Sequence, residues 1–283
     1  MRRRQGVVAT AGGLIPFGHL GWGYHDRDEF RLRAAEYIAD GLAQHQWVEY
    51  VGAGSREELR AELATLPGLA DISGIKVTPT LEFYNVAAGS DIVDPQIAVA
   101  TRVAAVETAI QRGYTGFRAI SDVTPVAGRP EQRDAFARFE FLIDQKMAAF
   151  PVSALCAYDL GQLDGDASSL ICLHPLASRS APNFRLYAHP GTGFALAGEL
   201  DAATDHAFST ALQRVWPLAS GDTIVIDAHD VEFIGHRQLA ILEHCGRADG
   251  RRVVVQTKQP ILARLAEMLE LTYVRVESTD DIN

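Results

Sequence analysis

The stretch "VEFIGHRQLAIL", residues 231–242, passes from strand to helix within a single turn of chain. Its apolar alternation breaks at Gly235, and a helical apolar pattern, Leu239 and Leu242, begins just beyond. A strand that runs straight into a helix is the repeating unit of α/β folds. The junction also sets Gly235, His236 and Arg237 at a helix start, where unpaired backbone N–H groups favour anions or hold reactive groups.

Working outward, "FRLYAHP" (184–190) and "GFALAGEL" (193–200) read as strands, followed by a helix over 202–216 and the strand "TIVIDA" (223–228). Beyond the junction come a helix over 236–247, strand "RVVVQT", a helix over 260–270 and strand "YVRVE". Phe208, Ala211, Leu212 and Val215 fall at i, i+3, i+4 and i+7, and Leu262, Leu265, Ala266 and Leu269 repeat that spacing. Two strands followed by βα units predict one compact α/β domain over 184–283.

Upstream, "HPLASRSAPNF" (174–184) is polar and proline-marked, and residues 177–183 are read as the linker. Before it, strands alternate with helices. "FGHLGWGY" is a strand weakened by its glycines, and a helix over 27–45 aligns Phe30, Ala34, Tyr37, Ile38 and Leu42. "WVEYV", "LEFYNV" (81–86), "FRAISDV" and "VSALCAY" are further strands; helices span 55–66, 95–111 and 131–149. This alternation predicts a second α/β domain over 1–176 with a largely parallel sheet.

The chain has 283 residues, 47% of them hydrophobic, and a net charge of −10 divided about evenly between its halves. An acidic surface repels phosphate backbones, so nucleic acid is not an expected partner. Cys156, Cys172 and Cys245 have no paired or metal-finger spacing, which fits a reducing cytoplasm. The opening "MRRRQGVVATAGGLIPFG" has a short, glycine-broken apolar run, so export is not expected. No run is long enough to span a membrane.

Motifs for covalent chemistry are missing: there is no GxxxxGK[ST] phosphate loop and no GxSxG elbow. "VGAGSREEL" (51–59) puts Glu57 where a dinucleotide loop needs its third glycine, so Ser55 and Glu58 are read as a capping box. The informative residue is Glu140, which shares a helical face with Phe136, Phe139 and Ile143. A carboxylate in an apolar stripe must be paired, protonated or bound to something. An arginine ion pair, or a place at the rim of the stripe, would satisfy it without function.

Asp122 and Tyr158 close predicted strands, and Cys156 shares a face with Tyr158. His19, Tyr24 and His25 belong to or follow the first strand. They are expected to converge beyond the carboxyl ends of the strands, where parallel sheets hold small ligands.

Two resemblances rest on these residues. "FALAGELDAATDHAFSTALQ", "TIVIDAHDVEFIGHRQLAIL" and "RRVVVQTKQPILARLAEMLELTYV" resemble a STAS domain of the anti-sigma factor antagonist type. That resemblance implies a binding module whose partner is an anti-sigma factor with serine kinase activity, or STAS paralogues. Where the family carries Asp-Ser-Ser-Gly, this chain has Gly235-His236-Arg237-Gln238, so the phosphoacceptor serine is absent. Three readings stay open for Gly235, His236 and Arg237: a partner-contact surface, an anion site assisted by Arg237, or regulation through another hydroxyl or His236 itself.

"GHLGWGYHDRDEF", "GFRAISD", "FARFEFLIDQ" and "VSALCAYD" followed by "HP" resemble the MEDS domain. That resemblance implies a sensory module on a RecA-like sheet lacking a phosphate loop, with hydrocarbon derivatives as ligands. Candidate ligand-binding residues are His19, Tyr24, Asp122, Glu140, Cys156, Tyr158 and His174, with Asp122 shorter than the glutamate expected at its position.

A transition-metal site from His19, Glu140, Cys156 and His174 is chemically conceivable. A hydrogen-bond network around an apolar pocket is the preferred expectation, with no metal or cofactor. Together these readings predict a cytoplasmic signalling protein without turnover: a sensor coupled to a module that docks on a regulator. The alternatives are a non-switching scaffold and a nucleotide- or small-molecule-binding enzyme on the N-terminal sheet. Sheet domains of this kind often pair, so a homodimer is among the expected states.

Overall fold

The computed structural model describes residues 4–13, 18–189 and 193–278. Phe17 of the first predicted strand, Pro190, and residues 1–3 and 14–17 of the leader-like opening lie outside them. The chain divides into two compact units between Ala181 and Pro182.

The first unit is a seven-stranded parallel sheet in the order β1-β7-β2-β6-β5-β3-β4. Its strands are β1 (Gly6–Val8), β2 (His19–Tyr24), β3 (Trp47–Gly52), β4 (Lys76–Pro79), β5 (Phe117–Asp122), β6 (Val152–Asp159) and β7 (Leu176–Ser178). The helices are α1 (Arg27–Ala43), α2 (Arg56–Leu63), α3 (Thr80–Phe83), α4 (Pro95–Gln111), α5 (Pro130–Met147), α6 (Leu160–Leu163) and α7 (Ser168–Ile171).

Local chemistry explains where the helices start. Asp26 caps α1 by accepting the Asp28 N–H, and Ser55 and Glu58 complete the expected capping box on α2. Asp94 caps α4 ahead of Pro95, and Pro130 opens α5 at a position that needs no N–H. Crossovers from β2 and β3 step one way across the sheet and those from β4, β5 and β6 step the other. Right-handed connections therefore place α1 and α2 on one face, α4 and α5 on the other. The first face buries Leu20, Trp22, Phe30, Tyr37, Ile38, Tyr50 and Leu63 in a continuous apolar layer.

Two expectations need correction. "LEFYNV" is not a strand: the ladder ends two residues before it, at Pro79, which offers no donor to continue it, and Thr80–Phe83 turns helical. The linker read over 177–183 is shorter, because β7 occupies Leu176–Ser178 and pairs with both β1 and β2. Its serines are structural: Ser178 Oγ accepts the Gly23 N–H at 3.0 Å, and Ser180 donates to the Gly23 carbonyl at 2.8 Å.

The second unit is a five-stranded sheet in the order β12-β11-β10-β9-β8. Strands β8 (Phe184–Ala188) and β9 (Phe194–Leu200) form an antiparallel pair, and β10 (Thr223–Ile234), β11 (Arg252–Thr257) and β12 (Val274–Ser278) extend it in parallel. The connecting helices are α8 (Asp205–Val215), α9 (His236–Asp249) and α10 (Pro260–Met268). Phe208, Ala211, Leu212 and Val215 of α8 are fully buried, as their spacing predicts. Gly198 has φ +81°, and a Cβ there would lie 2.1 Å from the Asn183 carbonyl oxygen, so only glycine fits.

Candidate functional site

Strand alternation sorts the candidate residues into two groups on opposite faces of the first sheet. Registry pairs His19 with Ala154, Gly21 with Cys156 and Gly23 with Tyr158, so His19, Cys156 and Tyr158 lie under α5. Tyr24 and Asp122 belong to the α1 face. The expectation that all of them converge beyond the carboxyl ends of the strands is therefore corrected: two sites replace one.

Under α5, His19, Glu140, Asp144 and His174 are all 0% exposed and Cys156 is 3% exposed. His19 lies between two carboxyl groups, with Nδ1 3.0 Å from Asp144 Oδ1 and Nε2 3.0 Å from Glu140 Oε2. Tyr158 donates to Glu140 Oε1 at 3.1 Å, and Cys156 Sγ lies 3.7 Å from both Glu140 Oε2 and His19 Nε2. His174 stacks obliquely on His19 with ring centroids 4.1 Å apart, its Nδ1 3.2 Å from the Ile171 carbonyl oxygen. Its Nε2 faces Glu140 Oε2 at 3.6 Å and has no hydrogen-bond partner. One nitrogen or oxygen from each of His19, Glu140 and His174, with the Cys156 sulfur, lies within 4.8 Å of the others, so these four residues could hold a metal ion.

The electrostatics follow from burial and pairing. Burial alone would lower the His19 pKa, but its bonds to Asp144 and Glu140 outweigh that and raise it to about 9. Burial, then the His19 charge, lowers His174 to about 4, which leaves that ring neutral at pH 7. Burial pushes Glu140 up, yet the charges of His174 and His19 and the His19 hydrogen bond hold it below the usual carboxylate range. Between about pH 4 and pH 9, His19 is the charged partner that keeps Glu140 ionised. Glu140 is thus paired inside the layer, with a histidine where an arginine was expected.

A cavity of about 30 Å³ adjoins this cluster. Phe83, Tyr84, Phe117 and Phe139 line it, with His19, Glu140 and Cys156 among its polar boundary. Arg102, 9% exposed, contributes Nε and Nη1 atoms that have no hydrogen-bond partner, while its guanidinium stacks 3.9 Å from the Phe83 ring centroid. That volume admits one or two water-sized groups before the rings must move.

Sequence reasoning missed Asp144 and Arg102. Asp144 sits one helical turn after Glu140 on the same stripe, which was the available signal. Arg102 stands three residues after Val99 and four before Val106, on the buried face of α4, and that spacing was the available signal. The glycines that weakened the β2 reading have a reason: a Cβ on Gly21 would lie 2.9 Å from His174 Nδ1.

On the α1 face, Tyr24 donates to Asp122 Oδ2 at 3.1 Å and Arg27 to the same oxygen at 2.7 Å. Arg27 also pairs with Glu62 at 2.7 Å, and Asp122 Oδ1 accepts the Thr124 N–H. This network fills the carboxyl end of the sheet where crossovers diverge. His25 is exposed beside it.

In the second unit, Gly235 caps α9 without a side chain, and His236 and Arg237 are exposed. Arg237 donates to Asp205 Oδ2 at 3.0 Å, and buried Gln238 hydrogen-bonds to the Asp201 carbonyl and to Asp205. The cation that would assist an anion at this helix start is already engaged by a carboxylate.

Among the described residues, no helix is long and apolar enough to cross a membrane. No curated protein matches the chain. A family model for the methanogen/methylotroph, DcmR sensory domain, MEDS, matches residues 18–175, which spans the whole cluster from His19 to His174. More than half of the chain is covered, and it belongs to the MEDS family of sensory domains.

Proposed function

We propose that this protein is a signalling component without turnover, in which the MEDS unit senses a small molecule and the second unit docks on a regulator of transcription. The observation that carries the sensing half is the aromatic-lined cavity against a fully buried polar cluster. Binding pockets characteristically combine apolar walls with a few convergent polar groups. Arg102, whose Nη1 lies 3.9 Å from Glu49 Oε2 and whose Nε has no hydrogen-bond partner, favours a ligand with an acceptor oxygen on a short hydrocarbon body.

The RecA-like reading of the sheet is supported by the interior position of β2, between β7 and β6, from which the chain enters α1. The connecting residues Tyr24-His25-Asp26 lack glycine, and Asp26, Asp28 and Glu29 crowd the helix start with negative charge. Such a start disfavours nucleotide phosphates.

The STAS reading of the second unit is supported by its antiparallel pair followed by parallel βα units, and by the glycine that "GELD" requires at position 198. Phe233 is 53% exposed two residues before Gly235, and Ile261 is 63% exposed after Gln259, which reaches back to the Val231 carbonyl. These residues, with His236 and Arg237, make a partner-contact surface for an anti-sigma factor the preferred use of the α9 start. The serine switch of the antagonist branch is absent.

Thermal shifts of the intact protein with short alcohols, aldehydes and carboxylates test the sensing half. Stabilisation by at least one class, lost in Phe139→Trp, is expected. A flat response across the panel at 10-millimolar order, where even a 1 mM Kd gives about 1.4 kcal/mol, refutes it. Pull-down of candidate anti-sigma factors, weakened by Phe233→Asp, tests the docking half.

A further inference from the structure

We propose that His19, Glu140, Cys156 and His174 form a four-ligand centre for a divalent first-row transition ion, zinc foremost. The centre shares His19, Glu140 and Cys156 with the boundary of the adjoining cavity, but its test reads metal content and so stands apart from the ligand assigned to that cavity. Three separate features of the cluster support it.

The first is donor geometry. Bond lengths of 2.0–2.3 Å to nitrogen, oxygen and sulfur put tetrahedral ligand atoms roughly 3.3–3.7 Å apart. The observed separations are 3.0 Å for His19 Nε2 to Glu140 Oε2, 3.6 Å for His174 Nε2 to Glu140 Oε2, and 3.7 Å from Cys156 Sγ to each of the first two. The two remaining separations, from His174 Nε2 to His19 Nε2 and to Cys156 Sγ, are within 4.8 Å, so closing the set around an ion takes side-chain adjustments of about 1 Å or less.

The second is the outer arrangement. Histidine ligands to metals usually donate their other ring N–H to a carboxylate or a backbone carbonyl, which fixes the tautomer. Both histidines follow that pattern, since His19 directs Nδ1 to Asp144 and His174 directs Nδ1 to the Ile171 carbonyl. Each therefore turns Nε2 to the centre, and Tyr158 holds Glu140 by Oε1, leaving Oε2 inward.

The third is the orphaned atom. His174 Nε2 is completely buried, has no hydrogen-bond partner and points at Glu140 Oε2. A buried nitrogen acceptor with nothing to accept needs an explanation, and an ion bound to its lone pair supplies one. Gly21 reinforces the assignment, because it leaves room for the His174 ring at this spot. The ion replaces the proton shared by His19 and Glu140, and Cys156 joins as a thiolate after losing its proton to solvent. Two nitrogens, one oxygen and one sulfur in a closed tetrahedral set suit zinc, with cobalt as its spectroscopic stand-in.

The full-length protein should be produced in zinc- or cobalt-supplemented medium, so that the ion enters as the chain folds around it. About one equivalent of metal per folded chain is expected after gel filtration. The cobalt form should show tetrahedral visible bands and a thiolate-to-metal charge-transfer band. Cys156→Ser should abolish the charge-transfer band and Cys245→Ser should retain it. Asp144 is a positioning residue, and Asp144→Asn should weaken metal affinity about 10- to 100-fold while keeping the spectrum.

Folded wild-type protein with less than about a tenth of an equivalent of metal, or a cobalt spectrum indifferent to Cys156→Ser, overturns the proposal. The wild-type metal content decides the matter even where a variant fails to fold.

Discussion

At the scale of single residues, the constraint that bears directly on the buried cluster is the absence of a side chain at Gly21. A methyl group there would meet the His174 ring at 2.9 and 3.0 Å and Ile171 Cγ2 at 3.1 Å, all fully buried. Gly21→Ala should therefore destabilise the first unit by ~1–3 kcal/mol, the range for overpacking a closed core, as read by urea titration of the intact protein. An unchanged midpoint would mean that His174 can move aside freely. The residue scale is also where the sequence was least legible. Glu140 betrayed itself by standing in an apolar stripe, but its partners could not be named, because His19 is 121 positions away and is brought near by strand pairing alone. Tyr24 and His19 belong to the same strand, and only the alternation of faces shows that they serve different clusters.

At the scale of elements, the helices were legible where period and caps agreed. The spacing over 95–111 coincides with α4, and the capping box marks the start of α2. Short strands were not legible. Each of β1 and β7 has three residues, too few for alternation to register, and Ser178 of β7 and the following Ser180 read as loop because their bonds to Gly23 come from tertiary structure.

One tie between elements invites a pH experiment. The buried Glu243 of α9 accepts N–H bonds from Thr272, Tyr273 and Val274 at the entry to β12, and pairs with Arg247. Burial pushes its carboxyl up, but the Tyr273 N–H, Arg247 and the other N–H bonds prevail and hold it at about 2. A depressed carboxyl contributes stability that is fully present above its unfolded value near 4.5 and is lost as pH falls through 2. Glu243→Gln should cost on the order of 2 kcal/mol at pH 7 and flatten the loss of stability between those two pH values. Parallel acid denaturation curves for the two proteins would show that the carboxylate charge is not used. Gly198→Ala is the harsher test of the second sheet. Its positive φ and the Asn183 carbonyl in the way predict a loss above about 3 kcal/mol, or no folded second unit, by circular dichroism.

At the scale of the whole molecule, the division between Ala181 and Pro182 separates two sheets, each with its own hydrogen-bond ladder and apolar layer. The fragment 182–283 expressed alone should therefore melt in one cooperative transition. A fragment with the spectrum of an unfolded chain would show that its sheet depends on the first unit. The two-domain α/β organisation was readable from alternating periods, since each βα unit announces itself locally. The strand order was not, because crossover direction leaves no trace in the hydrophobic pattern.

Complete burial of the His19–Glu140–His174 cluster has a temporal consequence. Groups sealed on every side exchange with bulk solvent only when the overlying layers open, and such openings span a wide range of free energies and rates. Exchange at these groups is therefore limited by opening of the layers that cover them, and amide hydrogen exchange along β2 and α5 is expected to be among the slowest in the first unit.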